Sequence, residues 1–192
     1  MSLHDLDISI FRAVNGLGFG PLDWLFVQVS KVEMGLASAA VVGLYFAWRK
    51  RWDAVWVILA GVIAVALSDS VGARLLKPLF GRARPCFALP PGSVRLLVPI
   101  ADSGSMPSLH AANNFAAALV ALSADRQTGW VLLPYATLVA LSRLGVGVHW
   151  PSDLVGGVLW GAVAAGVGWA AASLGRAAWR RLRGTEKTLE LP

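Results

Sequence analysis

Charge is scarce in this 192-residue chain: Lys, Arg, Asp and Glu make up only 15% of it, against roughly 25% in an ordinary soluble domain. Acidic residues are the scarcer sign, 11 against 17 basic. Cysteine occurs once, as Cys86, which excludes an intrachain disulfide and any multi-cysteine metal site. A lone thiol in a loop reads as incidental rather than catalytic. No tandem repeat is visible. The opening MSLHDLDISIFRAVNG is acidic before it is apolar and lacks a small-residue cleavage site, so it does not read as a signal peptide.

Apolar residues fill the remainder, at 56% of the chain and a mean hydropathy of +0.62. The length suits one domain. Composition and hydropathy together predict an all-α fold, a polytopic membrane helical bundle of about six transmembrane helices, five strong and one short. The strong runs are 34–48, 54–76, 108–124, 130–145 and 152–174; the short one is LDWLFVQVS, behind a GFGP break. Several fall below the roughly 20 residues that cross a bilayer, and flanking residues extend them. Trp48, Trp52, Trp56, Trp130, Trp150 and Trp179 fall near run ends, as interfacial belts require. Gly157 and Gly161 have the small-xxx-small spacing of close helix packing.

Basic residues set the orientation. Arg49, Lys50 and Arg51 link the second and third spans, and Arg176, Arg180, Arg181, Arg183 and Lys187 follow the last. Such clusters commonly face the cytoplasm, and an even number of spans separates them, so both can. Residues 1–32 are then an interfacial helix plus a short first membrane helix. Residues 33–175 form a catalytic transmembrane bundle, and 176–192 a basic cytoplasmic tail ending in a frayed GTEKTLELP. The net charge of +6 would suggest nucleic acid in a soluble protein; at helix ends it points to the bilayer, with no nucleic-acid partner. Oligomeric state is left open.

On this topology three polar segments, KPLFGRARP (77–85), SMPSLH (105–110) and SRLGVGVHWPSD (142–153), converge on the extracytoplasmic face. Cations there run against the usual charge bias, so something should attract them. Any one of Lys77, Arg82 or Arg84 could merely snorkel at a helix end. With Arg95 and Arg143 they make a basic pocket suited to phosphate. Pro107 and Pro151 suit first helical turns, whose free N–H groups would face the same pocket, and Ser108 adds a hydroxyl. A lone interfacial His is ordinarily a packing residue, but His110 and His149 both fall beside the pocket. Asp153, four residues after His149, is placed to accept from its Nδ1–H, leaving Nε2 free to attack; a plain helix cap would also suit it. No His, Cys or carboxylate grouping offers a metal site, and no cofactor is implied. Asp69, inside the third span, is expected to face the bundle interior or pair with Arg74, since an ionisable residue there is costly.

Lys77-x6-Arg84-Pro85, Pro107-Ser108-x-His110 and Ser142-Arg143-x5-His149-x3-Asp153 resemble, in order and spacing, the three-part signature of the type 2 phosphatidic acid phosphatase superfamily. The resemblance spans residues 77–153. It implies an integral membrane enzyme that dephosphorylates lipid phosphates without metal. In it His149 is the nucleophile that forms a phosphohistidine, Asp153 orients it, and His110 protonates the leaving oxygen. Lys77, Arg84, Ser108, Arg143 and the backbone N–H of Leu109 hold the phosphoryl oxygens. Leu109 stands where the family usually has Gly, which puts a bulky side chain beside the pocket and bears on specificity.

The short chain and its FRAVNG opening are similar to undecaprenyl-diphosphate phosphatases of the bacterial cell envelope, and phosphatidylglycerophosphate, phosphatidate and lipid A phosphatases share the motifs. A bacterial inner membrane with the site facing the periplasm or exterior is the expected location. The apolar connector 86–105 reads as an interfacial lid whose Arg95 could meet a second phosphate. Two alternatives remain: a phosphotransferase that passes the group to another acceptor, and a non-catalytic lipid-phosphate binding or transport protein.

Overall fold

The computed structural model describes residues 2–189, with side chains of 51 and 184–189 left aside. Among the described residues every regular element is helical. Helix α1 (Leu3–Gly16) opens with a capping box between Ser2 and Asp5 and buries Asp7, Phe11 and Asn15. These recur every fourth residue, so two polar side chains lie on the stripe that turns inward.

Helices α2 (Gly20–Val29) and α3 (Val32–Lys50) are bent by 63° at Ser30–Lys31. At 1.5 Å per residue α2 is about 15 Å long, half a bilayer core, so the short first helix is a half-span broken from the next. Helix α4 (Ala54–Val71) passes into a π-helical turn (Gly72–Leu76) and the short α5 (Lys77–Phe80). Gly81, with φ +54°, then turns the chain, a conformation open mainly to glycine. After α6 (Pro85–Ala88) and a long connector come α7 (Leu109–Ala124), α8 (Arg126–Gly145) and α9 (Pro151–Leu189).

Two segments, Ala54–Ala88 and Pro151–Arg183, are long and apolar enough to cross a membrane, and the bent α2–α3 pair meets the same standard only when taken together as one span. The expected six is therefore not reached on length and composition. Helix α7 is too short, with 16 residues, and α8 carries polar residues toward both ends. The tail is likewise not frayed where it is described: α9 continues through Leu189, while 190–192 lie outside the described residues.

Small residues set the packing. Alanines 60, 64, 116, 164, 165 and 172 form a core shared by α4, α7 and α9. A Cβ on Gly161 would come 2.4 Å from the Ala112 carbonyl oxygen, and one on Gly168 equally close to that of Ala60. Backbones that approach so closely gain dispersion where no hydrophobic driving force exists between helices. At one end of the bundle Arg176 Nη2 lies 2.6 Å from Asp53 Oδ1, so the two basic clusters share that end. Trp48, Trp52, Trp130 and Trp179 are exposed, as a belt demands, but Trp150 is buried against Phe11 and donates Nε1–H to the Ala83 carbonyl at 2.9 Å. It belongs to the core.

Candidate active site

The other end gathers the three polar segments. Residues 146–150 make a tight link between α8 and α9 in which Gly147, at φ +86°, passes so close to Arg95 that a Cβ would sit 2.5 Å from its carbonyl oxygen. This turn delivers His149 just ahead of Pro151, which opens α9 as expected. Asp153, in the first turn, accepts from the Trp150 N–H at 2.8 Å and faces His149 Nδ1 at 3.3 Å through the same oxygen. The helix cap and the histidine partner are thus one carboxylate. Both residues are buried. Because Asp153 can only accept, Nδ1 carries the proton and Nε2 the lone pair. Burial holds the His149 pKa down to about 3, with Asp153 pulling the other way. The imidazole is neutral.

Arg84 faces that lone pair, its Nη1 3.2 Å from Nε2. The same guanidinium donates to the carbonyls of Val148 at 3.0 Å and Ser103 at 3.0 Å, and to the Ser103 hydroxyl at 3.1 Å. The connector is therefore a clamp on Arg84. Arg95 does not reach the pocket; it is tied to Asp23 and to the backbone oxygen of Asn15, while Asn15 bonds back to the Arg95 backbone. It is thereby committed to α1 and α2 rather than aimed at a second phosphate.

Arg82 also departs from expectation. It points behind His149, where Nη1 donates to Asp153 at 2.8 Å and Nη2 to Asp7 at 2.5 Å. Asp7 further accepts from the Ser152 N–H at 2.9 Å and hydroxyl at 2.6 Å. Hydrogen bonds from Ser152 and Arg82 outweigh its burial and keep its pKa below the usual carboxylate value. Asp7 was not foreseen; its place on the buried stripe with Phe11 was the available signal.

Lys77, Arg84, His110, Arg143 and His149 line one cavity of about 850 Å³. Arg143 is buried, and its Nε has no hydrogen-bond partner. Among the described residues none of Lys77, Arg84 and Arg143 forms a salt bridge. Ser108 is buried as the N-cap of α7, its hydroxyl accepting from the Ala111 N–H at 3.5 Å, so Pro107 precedes the cap and is not in the first turn. His110 Nε2 lies 3.1 Å from the Ser30 carbonyl, which can only accept, so this nitrogen holds its proton against the α2–α3 bend. Leu109 also lines the cavity, and its side chain nestles against Gly72, where a Cβ would come within 2.4 Å of it. Asp69 accepts from Asn113 Nδ2 at 3.0 Å instead of pairing with Arg74. Among the described residues no three His, Cys, Asp or Glu side chains cluster as metal ligands would.

Membrane helices that converge on a neutral imidazole and several uncompensated cations describe a membrane phosphatase, an enzyme that must hold a polyanion before cutting it. Within that class the chain belongs to the PAP2 superfamily, whose profile matches residues 54–175. It is 30% identical over 167 residues to the bacitracin transport permease protein BcrC of Bacillus licheniformis, covering 86% of this chain and 80% of that one. It is 27% identical to undecaprenyl-diphosphatase BcrC of Bacillus subtilis, covering 80% and 78%. Aquifex aeolicus LpxE superimposes with a TM-score of 0.69 at 27% identity, over 88% of this chain and 98% of that one. The PAP2-type phosphatidylglycerolphosphate phosphatase of Bacillus subtilis, at 23% identity, shares the fold with a TM-score of 0.63 over 86% and 84%.

Proposed function

We propose that the protein hydrolyses a membrane lipid phosphate or diphosphate through a phosphohistidine on His149. The substrates in view are undecaprenyl diphosphate and a phosphatidylglycerophosphate- or phosphatidate-type lipid. One observation carries this: the cavity that holds the cations at one end is apolar along the rest, walled by α3, α4, α7 and α8 down to Phe46 and Val57. Val57 and Lys77 are about 30 Å apart along their helix at 1.5 Å per residue. A lipid tail fits beside a phosphate.

The phosphoryl oxygens supply the anionic partners that Lys77, Arg84 and Arg143 lack, with the Ser108 hydroxyl and the Leu109 N–H adding donors. Arg84 then gives its Nη1–H to phosphate, which releases the Nε2 lone pair of His149. That pair attacks phosphorus, the bond to the leaving oxygen breaks, and Asp153 steadies the imidazolium. His110, made imidazolium beside the bound phosphate, gives the leaving oxygen the Nε2 proton now shared with Ser30 and is left neutral, then takes a proton from the water that attacks phosphohistidine. Fixed cations are the main source of rate, since charge spreads over the equatorial oxygens in phosphoryl transfer. No step calls on a metal. Six membrane crossings, with this end of the bundle facing the exterior of a bacterial inner membrane, complete the proposal; both basic clusters at the opposite end support that orientation.

The test is phosphate release by purified protein from a panel of lipid mono- and diphosphates, with and without chelator. Release that survives chelator is expected. A strict Mg²⁺ requirement contradicts the mechanism, phosphoryl transfer to an acceptor without free phosphate supports a phosphotransferase, and binding without turnover supports a carrier.

A further inference from the structure

The apolar cavity contains a polar pair that the phosphate chemistry leaves unused. Asp69 is on α4, eight residues before Lys77, and Asn113 is on α7, three residues after His110. Both line the cavity and are joined by the hydrogen bond from Asn113 Nδ2 to Asp69 Oδ1. Asn113 Oδ1 is inaccessible to solvent and has no partner, and the Tyr135 hydroxyl on the α8 wall is in the same condition. A carboxylate among lipid-facing side chains is costly, and where it persists it generally serves a ligand or a path. A structural tie between α4 and α7 would not need a carboxylate with a second oxygen left over.

Position decides what such a ligand is. Asn113 is about one helical turn, some 5 Å, below His110, so a group in contact with it belongs to the leaving portion of the substrate. With Asn113 Oδ1 sealed off, the pair offers one acceptor, Asp69 Oδ2, on a carboxylate positioned by the Asn113 amide. Acceptors bind O–H and N–H donors, and a carboxylate repels a second phosphate. We infer that Asp69 and Asn113 form a subsite for a leaving group that carries hydroxyl or amide donors next to the scissile oxygen, as a glycerol or sugar headgroup does. This rests on the lipid-phosphatase proposal above and narrows it, against a polyprenyl diphosphate.

Three substrates separate the possibilities in detergent micelles: phosphatidylglycerophosphate, whose leaving glycerol has a free hydroxyl; phosphatidate, whose leaving group has none beyond the scissile oxygen; and undecaprenyl diphosphate. Asp69→Asn should lower the ratio of kcat/KM for the first over the second by about tenfold, the value of one charge-assisted hydrogen bond. It should also raise the relative rate on the diphosphate, and Asn113→Ala should move the first ratio the same way. Equal loss on all three would mean the pair only ties helices together, and a selective loss of diphosphate turnover would reverse its assignment. Either result overturns the subsite while leaving the phosphatase intact. If the wild-type protein releases phosphate from none of the three, the phosphatase proposal itself falls, and the subsite with it.

Discussion

Arg82 and Arg84 are two residues apart and face opposite sides of His149. Behind the histidine, Arg82 closes a network in which Asp7, Ser152 and Asp153 all find partners. In front, Arg84 leans on carbonyls and on the lone pair of His149, while Arg143 has a buried Nε with no partner. A buried charge with partners holds structure, whereas one without them is held at a cost in stability. The rear network is therefore scaffold, and the front cluster stores affinity for an anion.

Substituting the two sides should separate stability from activity. Arg143→Gln should reduce phosphate release by about 100-fold or more, the scale of losing one oxyanion donor, while raising the melting temperature in detergent. Arg82→Gln should lower that temperature, because the buried Asp7 and Asp153 lose their countercharge at a cost of about 3 kcal/mol, and should reduce turnover less than Arg143→Gln does. If both substitutions move stability in the same direction, the contrast between the two faces is wrong.

Leu109 belongs to the front face, seated against Gly72. Leu109→Gly should change the ranking of lipid substrates and destabilise by about 1–2 kcal/mol, from lost packing and helix propensity. An unaltered ranking would remove Leu109 from the specificity surface.

Acid should also weaken the fold. His149 titrates near 6.5 when unfolded and about 3 when folded, so between those values the unfolded chain binds the extra proton. The contribution of this group to stability is intact above pH 6.5 and declines as pH falls toward 3. Thermal unfolding across that range should show the decline, and His149→Gln should flatten it.

Spacing made much of the front face legible in the sequence. Lys77, Arg84, Ser108, His110, Arg143, His149 and Asp153 are fixed in number and order within three short segments, and membrane topology could only bring those segments to one surface. The rear was hidden because its partner, Asp7, lies 75 residues from Arg82, on a helix whose amphipathicity reads as mere surface attachment. The same distance hid Arg95, whose partners Asn15 and Asp23 precede the first strong span. Helix boundaries were blurred by local backbone effects: the 63° bend after α2, the π-helical turn after α4, and an N-cap serine that moved Pro107 out of α7. Trp150 was misplaced because a tryptophan near the end of an apolar run looks alike whether it meets headgroups or core.

Rapid acid-free quenching of the purified protein with radiolabelled lipid phosphate, followed by peptide mapping, tests the central claim most directly. The label should appear on His149 in a linkage stable to base and labile to acid, and should be absent from His149→Ala protein, which should also release no phosphate. Label on any other residue, or turnover that continues in His149→Ala, would contradict the account.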